Sequence, residues 1–212
     1  FHLEATYALH ASTNLGSLKV GNADFKLDFN GNNEFTFSSQ SYTDSIWKKL
    51  YDFKRYETSI GSLTNNKING KLYDIVEIEK DEVTKNNKIL IDHKEGFAIL
   101  NNSKKWEMQS NLIVDELNVY IALAVNLHKN PDQKEFSYNV IDEKGIELIN
   151  FITLGEETIT IENVKINSIK LRSPELKISI NVSKKYDYIP LIIERSSGST
   201  SFRLFLIEYN PT

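Results

Sequence analysis

The four histidines are the side chains of this sequence best suited to hold a metal ion or to transfer a proton. They are His2, His10, His93 and His128. No two of them have the spacing that places a pair of metal ligands on one helix or one strand. Asp92 precedes His93, but neighbouring residues of a strand point to opposite faces, so this carboxylate is badly placed to orient the imidazole. The sequence therefore predicts neither a metal site nor a catalytic histidine.

Other reactive groups are absent or are indistinguishable from ordinary surface residues. The chain has no cysteine, which excludes disulfides, zinc–thiolate sites and thiol nucleophiles. It has no Gly-x-Ser-x-Gly elbow, no Gly-rich phosphate loop and no dinucleotide fingerprint. Its 29 acidic residues leave a two-carboxylate glycosidase site open, although no pair stands out from solvated carboxylates. We therefore expect a protein that is not an enzyme and that carries no cofactor.

A second set of side chains has types that suit a bound apolar molecule. Small residues such as Ala122 and Ala124 on a central helix either let a sheet pack closely or leave room for a ligand. In an exported protein, an exposed apolar cleft would suit a lipid or an acyl chain. The predicted ligand-binding residues are Trp106, Met108, Leu117, Tyr120, Ile121 and Ala124.

The helical segment that carries most of these residues is 115–127, with the sequence DELNVYIALAVNL. Apolar residues recur in it at the spacing of one helix face, and the opposite face is also largely apolar. A helix that is apolar all round is a buried helix. Asp115 stands where an N-cap belongs, because its carboxylate can accept hydrogen bonds from the N–H groups of the first turn. Capping explains Asp115 better than catalysis does.

Almost everything before and after this segment has the alternation typical of strands. The first predicted strand is 2–11, with its apolar side chains at odd positions. In the next strand the apolar parity changes across Gly21, which predicts a β-bulge there. Pro190 cannot donate to a ladder, so it should begin a strand or lie at an edge. Turn signals at a spacing of roughly ten residues divide the chain into about eleven strands.

These signals predict a mainly β fold and a single domain over residues 1–212. The predicted architecture is a strongly curved antiparallel sheet of about eleven strands, an open or half barrel, wrapped around one buried helix near 115–127.

Composition limits the partners and the compartment. The net charge is −4 and no basic run is longer than two residues, so we expect no nucleic acid. No apolar stretch reaches the roughly 20 residues of a transmembrane helix. Cysteine-free chains are common among proteins sent to the periplasm. The chain begins at Phe1, as it would after removal of a signal peptide or in a truncated chain. We expect a periplasmic protein.

Three landmarks share their order and spacing with one bacterial family. They are Tyr7-Ala8-Leu9 with Leu18-Lys19-Val20-Gly21-Asn22-Ala23, then Asp115-Glu116-Leu117, and finally Tyr188-Ile189-Pro190-Leu191-Ile192-Ile193. Over nearly the whole chain they resemble the exported bacterial proteins of domain of unknown function 3108. Ile178 or Ile180 stands where that family would have an aromatic residue. The resemblance implies a periplasmic or envelope protein with no established activity to transfer. More distantly, the chain is similar to the lipoprotein-carrier fold, an unclosed barrel with helical material on its concave side, which implies a cavity for acyl chains.

Two functions agree with these observations. The first is a non-enzymatic periplasmic or cell-envelope protein that binds an apolar ligand, a lipid or an acyl chain, in the concave face of its sheet. The second is a structural or adaptor module that contacts another envelope protein through an edge strand or an exposed face. The sequence does not choose between them.

Overall fold

The structure is a computed structural model that describes residues 1–13, 16–44, 46–49, 51–110, 112–161, 163–197 and 200–212. In these residues it contains fifteen strands and one α-helix. The strands are β1 (His2–Thr13), β2 (Gly16–Phe29), β3 (Glu34–Thr43), β4 (Phe53–Thr64), β5 (Lys67–Glu79), β6 (Glu82–Asp92), β7 (Phe97–Leu100), β8 (Lys104–Glu107), β9 (Ile113–Asp115), β10 (Glu135–Ile141), β11 (Ile146–Ile161), β12 (Val164–Ser173), β13 (Ile178–Val182), β14 (Pro190–Ser197) and β15 (Thr200–Pro211). The helix is α1 (Val119–Lys129), and two short 3-10 turns cover Trp47–Lys49 and Lys184–Tyr186.

All fifteen strands belong to one sheet with the order β8-β7-β6-β5-β4-β3-β2-β1-β15-β14-β13-β12-β11-β10-β9. Two meanders therefore meet where the first strand pairs with the last one. The pairs are antiparallel except for β9 with β10, which is parallel. The prediction of a mainly β, antiparallel sheet is confirmed at this level, but the number of strands is fifteen, not about eleven. Strands as short as β8 and β9, with four and three residues, are too short for alternation to reveal them.

The sheet curves until its two ends approach each other, yet they are not joined by a strand ladder in the described residues. Across the opening between these two ends, Lys85 Nζ lies 2.9 Å from a carboxylate oxygen of Glu143. Lys104 Nζ donates to the carbonyls of Glu143 and Lys144 at 3.5 and 3.4 Å. Side chains and backbone carbonyls, rather than backbone pairing, therefore bridge the opening. The result is an open barrel.

The helix lies inside this curved sheet and packs against β5, β9 and β10. Its buried residues are Val119, Ile121, Ala122, Leu123 and Leu127. The predicted start at residue 115 is wrong: α1 begins at Val119, with Asn118 at the N-cap position, and residues 116–118 form a turn before it. The predicted end at residue 127 falls two residues before Lys129. No helix in the described ranges has the length and apolarity needed to cross a bilayer.

Two local predictions about the strands are confirmed. The pairing of β1 with β2 shifts between Leu9, opposite Gly21, and His10, opposite Lys19, so one extra residue bulges beside Gly21. A Cβ on Gly21 would lie 2.1 Å from the Tyr42 carbonyl oxygen, which no side chain tolerates. Pro190 is the first residue of β14, where its missing N–H interrupts no interior part of the ladder.

Candidate ligand-binding site

The concave side of the sheet encloses a cavity of about 270 Å³, here named the apolar chamber. Its walls come from the inward-facing odd positions of β1, β2 and β3 and from one face of α1. Most of its lining is apolar and includes Leu3, Ala5, Leu27, Phe37, Tyr120, Ile121, Ala124 and Val125, while the exposed residues Phe1, His128 and Asp187 also line it. The helical residues Tyr120, Ala124 and Val125 are only half-buried because they face this space. A small side chain on each wall, Ala5 and Ala124, helps to leave the volume open.

A larger cavity of about 640 Å³ adjoins the first one and is named the charged chamber. Much of its wall is apolar, with contributions from Leu9, Phe53, Ile193 and Leu204. Four charged side chains also line it: Arg55, Glu57, Glu116 and Arg195. A mostly apolar cavity with a few convergent polar groups is the usual form of a small-molecule site, whose volume is about 300–1,000 Å³.

The charges of this chamber are paired unequally. Arg55 donates from Nη1 to Glu77 at 2.7 Å and from Nη2 to Glu57 at 2.8 Å. The Tyr73 hydroxyl also donates to Glu57, at 2.6 Å. Glu116 forms its one ion pair among the described residues with Arg195, at 3.9 Å, which is too long for a good hydrogen bond. Burial raises the pKa of Glu116, and the guanidinium groups of Arg55 and Arg195 oppose that rise.

Phe25 and Tyr120 are the two residues that line both chambers. Phe25 is held by aromatic neighbours, with its ring centroid 4.9 Å from that of Tyr7 and 5.9 Å from that of Phe37. Burial raises the pKa of Tyr120, and the carboxylates of Glu57 and Glu116 raise it further against the opposing effect of Arg195. One layer of side chains therefore separates an apolar space from a charged one.

A buried polar network fixes the start of the helix beside these chambers. Asp115 is fully buried, and its carboxylate accepts hydrogen bonds from the Ser59 hydroxyl at 2.6 Å and from the Asn118 amide at 2.8 Å. It also accepts from the backbone N–H groups of Leu117 and Asn118 at 3.0 and 2.8 Å. Burial raises the pKa of Asp115 to about 7, while the bonds from Ser59 and the two N–H groups lower it. The prediction that Asp115 is the N-cap is wrong: Asn118 holds that position, and Asp115, at the end of β9, bonds the turn before α1 and ties it to β4.

The structure brings four of the six predicted ligand-binding residues together. Tyr120, Ile121 and Ala124 line the apolar chamber, and Leu117 and Tyr120 line the charged chamber. Space for a ligand therefore exists at Ala124, whereas Ala122, 5% exposed, packs closely.

Trp106 and Met108, also predicted to bind the ligand, line neither chamber in the described structure. Trp106 lies on the edge strand β8, and a Cβ on Gly145 would meet its Nε1 at 3.4 Å. Lys104 Nζ lies 4.9 Å from the centroid of the same ring. Trp106 and Met108 are half-buried against the core at this edge of the sheet, away from the chambers, so closeness in sequence to α1 does not bring Trp106 into either cavity.

The charged residues of the site were missed by sequence analysis. Arg55 and Glu57 occupy inward positions of β4, a parity that they share with the buried Ser59 and Gly61. A charge at an inward position is the signal that would have found them. It is weak here because Lys54 and Tyr56, which point outward, are polar too, so β4 shows no clear alternation.

Within the described residues, no group of three or more histidine, aspartate or glutamate side chains is arranged to hold a metal ion. Asp92 uses its carboxylate to accept the N–H groups of Lys94 and Glu95 in a turn. His93 Nε2 is bonded to the Gly70 carbonyl at 2.6 Å. The cavities offer a bound molecule apolar contact, hydrogen bonding and charge pairing.

One curved, unclosed sheet with a helix and two chambers on its concave side defines a β-barrel-like protein. The chain is similar to the crystal structure of the β-barrel-like protein of domain of unknown function DUF1849 from Brucella abortus, with a TM-score of 0.64 and 10% sequence identity. The similarity covers 99% of this chain and 97% of that one, and at this identity it shows the fold alone. No protein-family model and no curated protein matches the chain, so the resemblance to domain of unknown function 3108 is not confirmed.

Proposed function

We propose that this is a non-enzymatic protein that binds an apolar ligand, a lipid or an acyl chain, in the concave face of its sheet. The observation that carries the proposal is the apolar chamber between α1 and β1–β3, which remains open although nearly all of the side chains that line it are apolar. An apolar cavity that opens to solvent leaves its apolar walls in contact with water unless a ligand covers them, and such exposed apolar surface commonly marks a binding site. A bound acyl chain would supply the missing contacts.

The cellular setting is a second part of the proposal. We place the protein in the periplasm or cell envelope, as a divergent relative of domain of unknown function 3108. The support is the absence of cysteine and the three sequence landmarks, each of which has residues that line the chambers. Tyr7 of the first landmark donates its hydroxyl to the carbonyl of Pro190 in the third, at 2.8 Å. Residues far apart in the chain thus form one wall of the apolar chamber.

The alternative function, an envelope adaptor, is favoured by one feature of the outer face. Ile60, Leu72, Leu90 and Ile99 are successive cross-strand partners on β4 to β7, and Ile60 and Leu90 are 36% and 43% exposed. Adaptor contact through an edge strand has less support. β9 is buried at all three positions, and β8 has four residues, two of them lysines that discourage strand addition.

Two substitutions on the same helix test ligand binding in the apolar chamber. Ala124→Phe puts a ring into the chamber, so stability should hold or rise and an environment-sensitive fluorescent fatty acid should be displaced. Ala122→Phe is the matched control: it faces packed core, so it should destabilise by about 1–3 kcal/mol through overpacking. A denaturation midpoint and a probe titration give both quantities. Strong destabilisation by Ala124→Phe, together with a wild type that binds no probe, would favour the adaptor.

A further inference from the structure

The charged chamber is amphipathic, unlike its neighbour. Apolar side chains line most of it, and Arg55, Glu57, Glu116 and Arg195 stand together on part of its wall. A purely apolar ligand would leave these charges facing hydrocarbon, which is costly. A ligand with a charged end would satisfy them. Phe25 and Tyr120 line both chambers, so one molecule can have its chain in the apolar chamber and its head in the charged chamber.

The sign of the charge that a ligand's head group should carry follows from the ion pairs inside the chamber. Arg55 is bonded to both Glu57 and Glu77, so one guanidinium already faces two carboxylates. Adding Glu116 and Arg195 gives three carboxylates against two guanidinium groups. Glu77 does not line the chamber but neutralises Arg55 from behind it, so this linked group of side chains as a whole carries an excess of negative charge, and an added cation is favoured over an added anion.

Glu116 is the carboxylate best placed to receive that cation. Its side chain is 21% exposed, whereas that of Arg195 is 55% exposed and is better solvated. The ion pair between them, at 3.9 Å, is therefore weakened by solvent on one side. Glu57 and Glu77 already accept hydrogen bonds from Arg55 at normal distances. Of the three carboxylates, Glu116 thus retains the most capacity to accept new donors.

We propose that the ligand is an amphiphile with a positively charged amino head group, which binds in the charged chamber with Glu116 as its counter-ion. This proposal rests on the proposed function, since it assigns the polar end of the same ligand. Its hydrocarbon chain lies along Phe25 and Tyr120 toward Ala124. An ammonium group donates hydrogen bonds to a carboxylate, and such charge-assisted bonds are among the strongest in proteins.

The test compares three dodecyl amphiphiles by isothermal titration calorimetry below their micelle concentrations: dodecylammonium, dodecanol and dodecanoate. Dodecylammonium should bind about tenfold more tightly than dodecanol, and dodecanoate should bind most weakly. Dodecanol binding alone measures the chain. If none of the three binds, the proposed function fails. If dodecanol binds and dodecylammonium gains nothing over it, or if dodecanoate binds best, the head-group assignment is overturned while the proposed function stands.

Three variants locate the effect. Glu116→Gln should remove the dodecylammonium preference, a loss of about tenfold, and leave dodecanol binding unchanged. Arg195→Gln should strengthen dodecylammonium binding about threefold, because it removes a competing positive charge. Glu156→Gln, on the exposed part of β11, should change neither. Burial raises the pKa of Glu116, so the neutral amide should fold at least as well. A Glu116→Gln protein that unfolds normally and keeps the full preference would refute the assignment.

Discussion

Asp115 and Glu116 are consecutive acidic residues with opposite surroundings. Asp115 is fully buried, and four donors hold its carboxylate. Glu116 faces the charged chamber and, among the residues that the structure describes, has a single ion partner, Arg195, at 3.9 Å. One peptide bond separates a carboxylate that anchors a helix from a carboxylate that lines an open cavity.

The difference between them depends on what the surrounding strands and turn supply. β4 contributes the Ser59 hydroxyl, and the turn contributes two N–H groups and the Asn118 side-chain amide. Both carboxylate oxygens of Asp115 therefore accept hydrogen bonds. A buried carboxylate without such donors is strongly destabilising. Glu116 lacks them and instead borders empty volume, which is where a ligand can provide them. A structural acid and a cavity-lining acid can therefore be told apart by their donors, even when they are adjacent.

The largest effect should come from removing the anchoring carboxylate. Asp115→Ala leaves the Ser59 hydroxyl, the Asn118 amide and two N–H groups buried without acceptors, so we expect a loss of about 4 kcal/mol in the free energy of unfolding. Glu116→Ala, the control, should change it by less than about 0.5 kcal/mol. Urea unfolding with matched m-values measures both. Equal losses at the two positions would break the comparison.

Titration of Asp115 should give the next largest effect. Burial raises its pKa from 3.8 to about 7, so the folded protein retains a proton that the unfolded chain releases between these values. Stability linked to this group is fully present below about pH 4 and is lost as the pH rises to about 7. The expected loss is on the order of 3 kcal/mol.

Asp115→Asn separates this effect from all other titrations, because the amide does not ionise and keeps an acceptor oxygen for the turn. The free energy of unfolding of the wild type, minus that of the variant, should decrease between about pH 4 and about pH 7. Chemical denaturation at a series of pH values gives this difference. A flat profile would mean that the four donors fully offset the cost of burial.

The helical part of the site was predictable from sequence because a helix has one period. The spacing of Tyr120, Ile121 and Ala124 places them on one face without knowledge of any partner, and the structure shows that face at the apolar chamber. The bulge beside Gly21 was predictable for the same reason, since a change of apolar parity is visible within one strand.

The charged part of the site was not predictable from local patterns. Arg55 meets Glu77 because β4 and β5 pair in that register, and it meets Glu57 because the two share one face of β4. Register depends on the whole meander and on its turns, which no single stretch of sequence specifies. The position of Trp106 outside both chambers was not predictable either, because the short edge strand β8 that carries it has no visible alternation.

The smallest effect concerns the wall of Phe25 and Tyr120 between the charged chamber and the apolar chamber. Tyr120→Ala removes half of that wall, so a longer alkyl chain should fit, at a stability cost of about 2 kcal/mol. Each buried methylene contributes roughly 0.8 kcal/mol until the space is full. The affinity for hexadecylammonium, divided by that for dodecylammonium, should therefore be about fivefold higher in the variant than in the wild type.

The control is Trp106→Leu, which lies outside both chambers and should leave the dependence of affinity on chain length unchanged. Calorimetric titration with alkylammonium ions of increasing length measures all three proteins. An unchanged profile in Tyr120→Ala would show that the head and chain do not occupy the two chambers as one ligand, and a changed profile in Trp106→Leu would return Trp106 to the site.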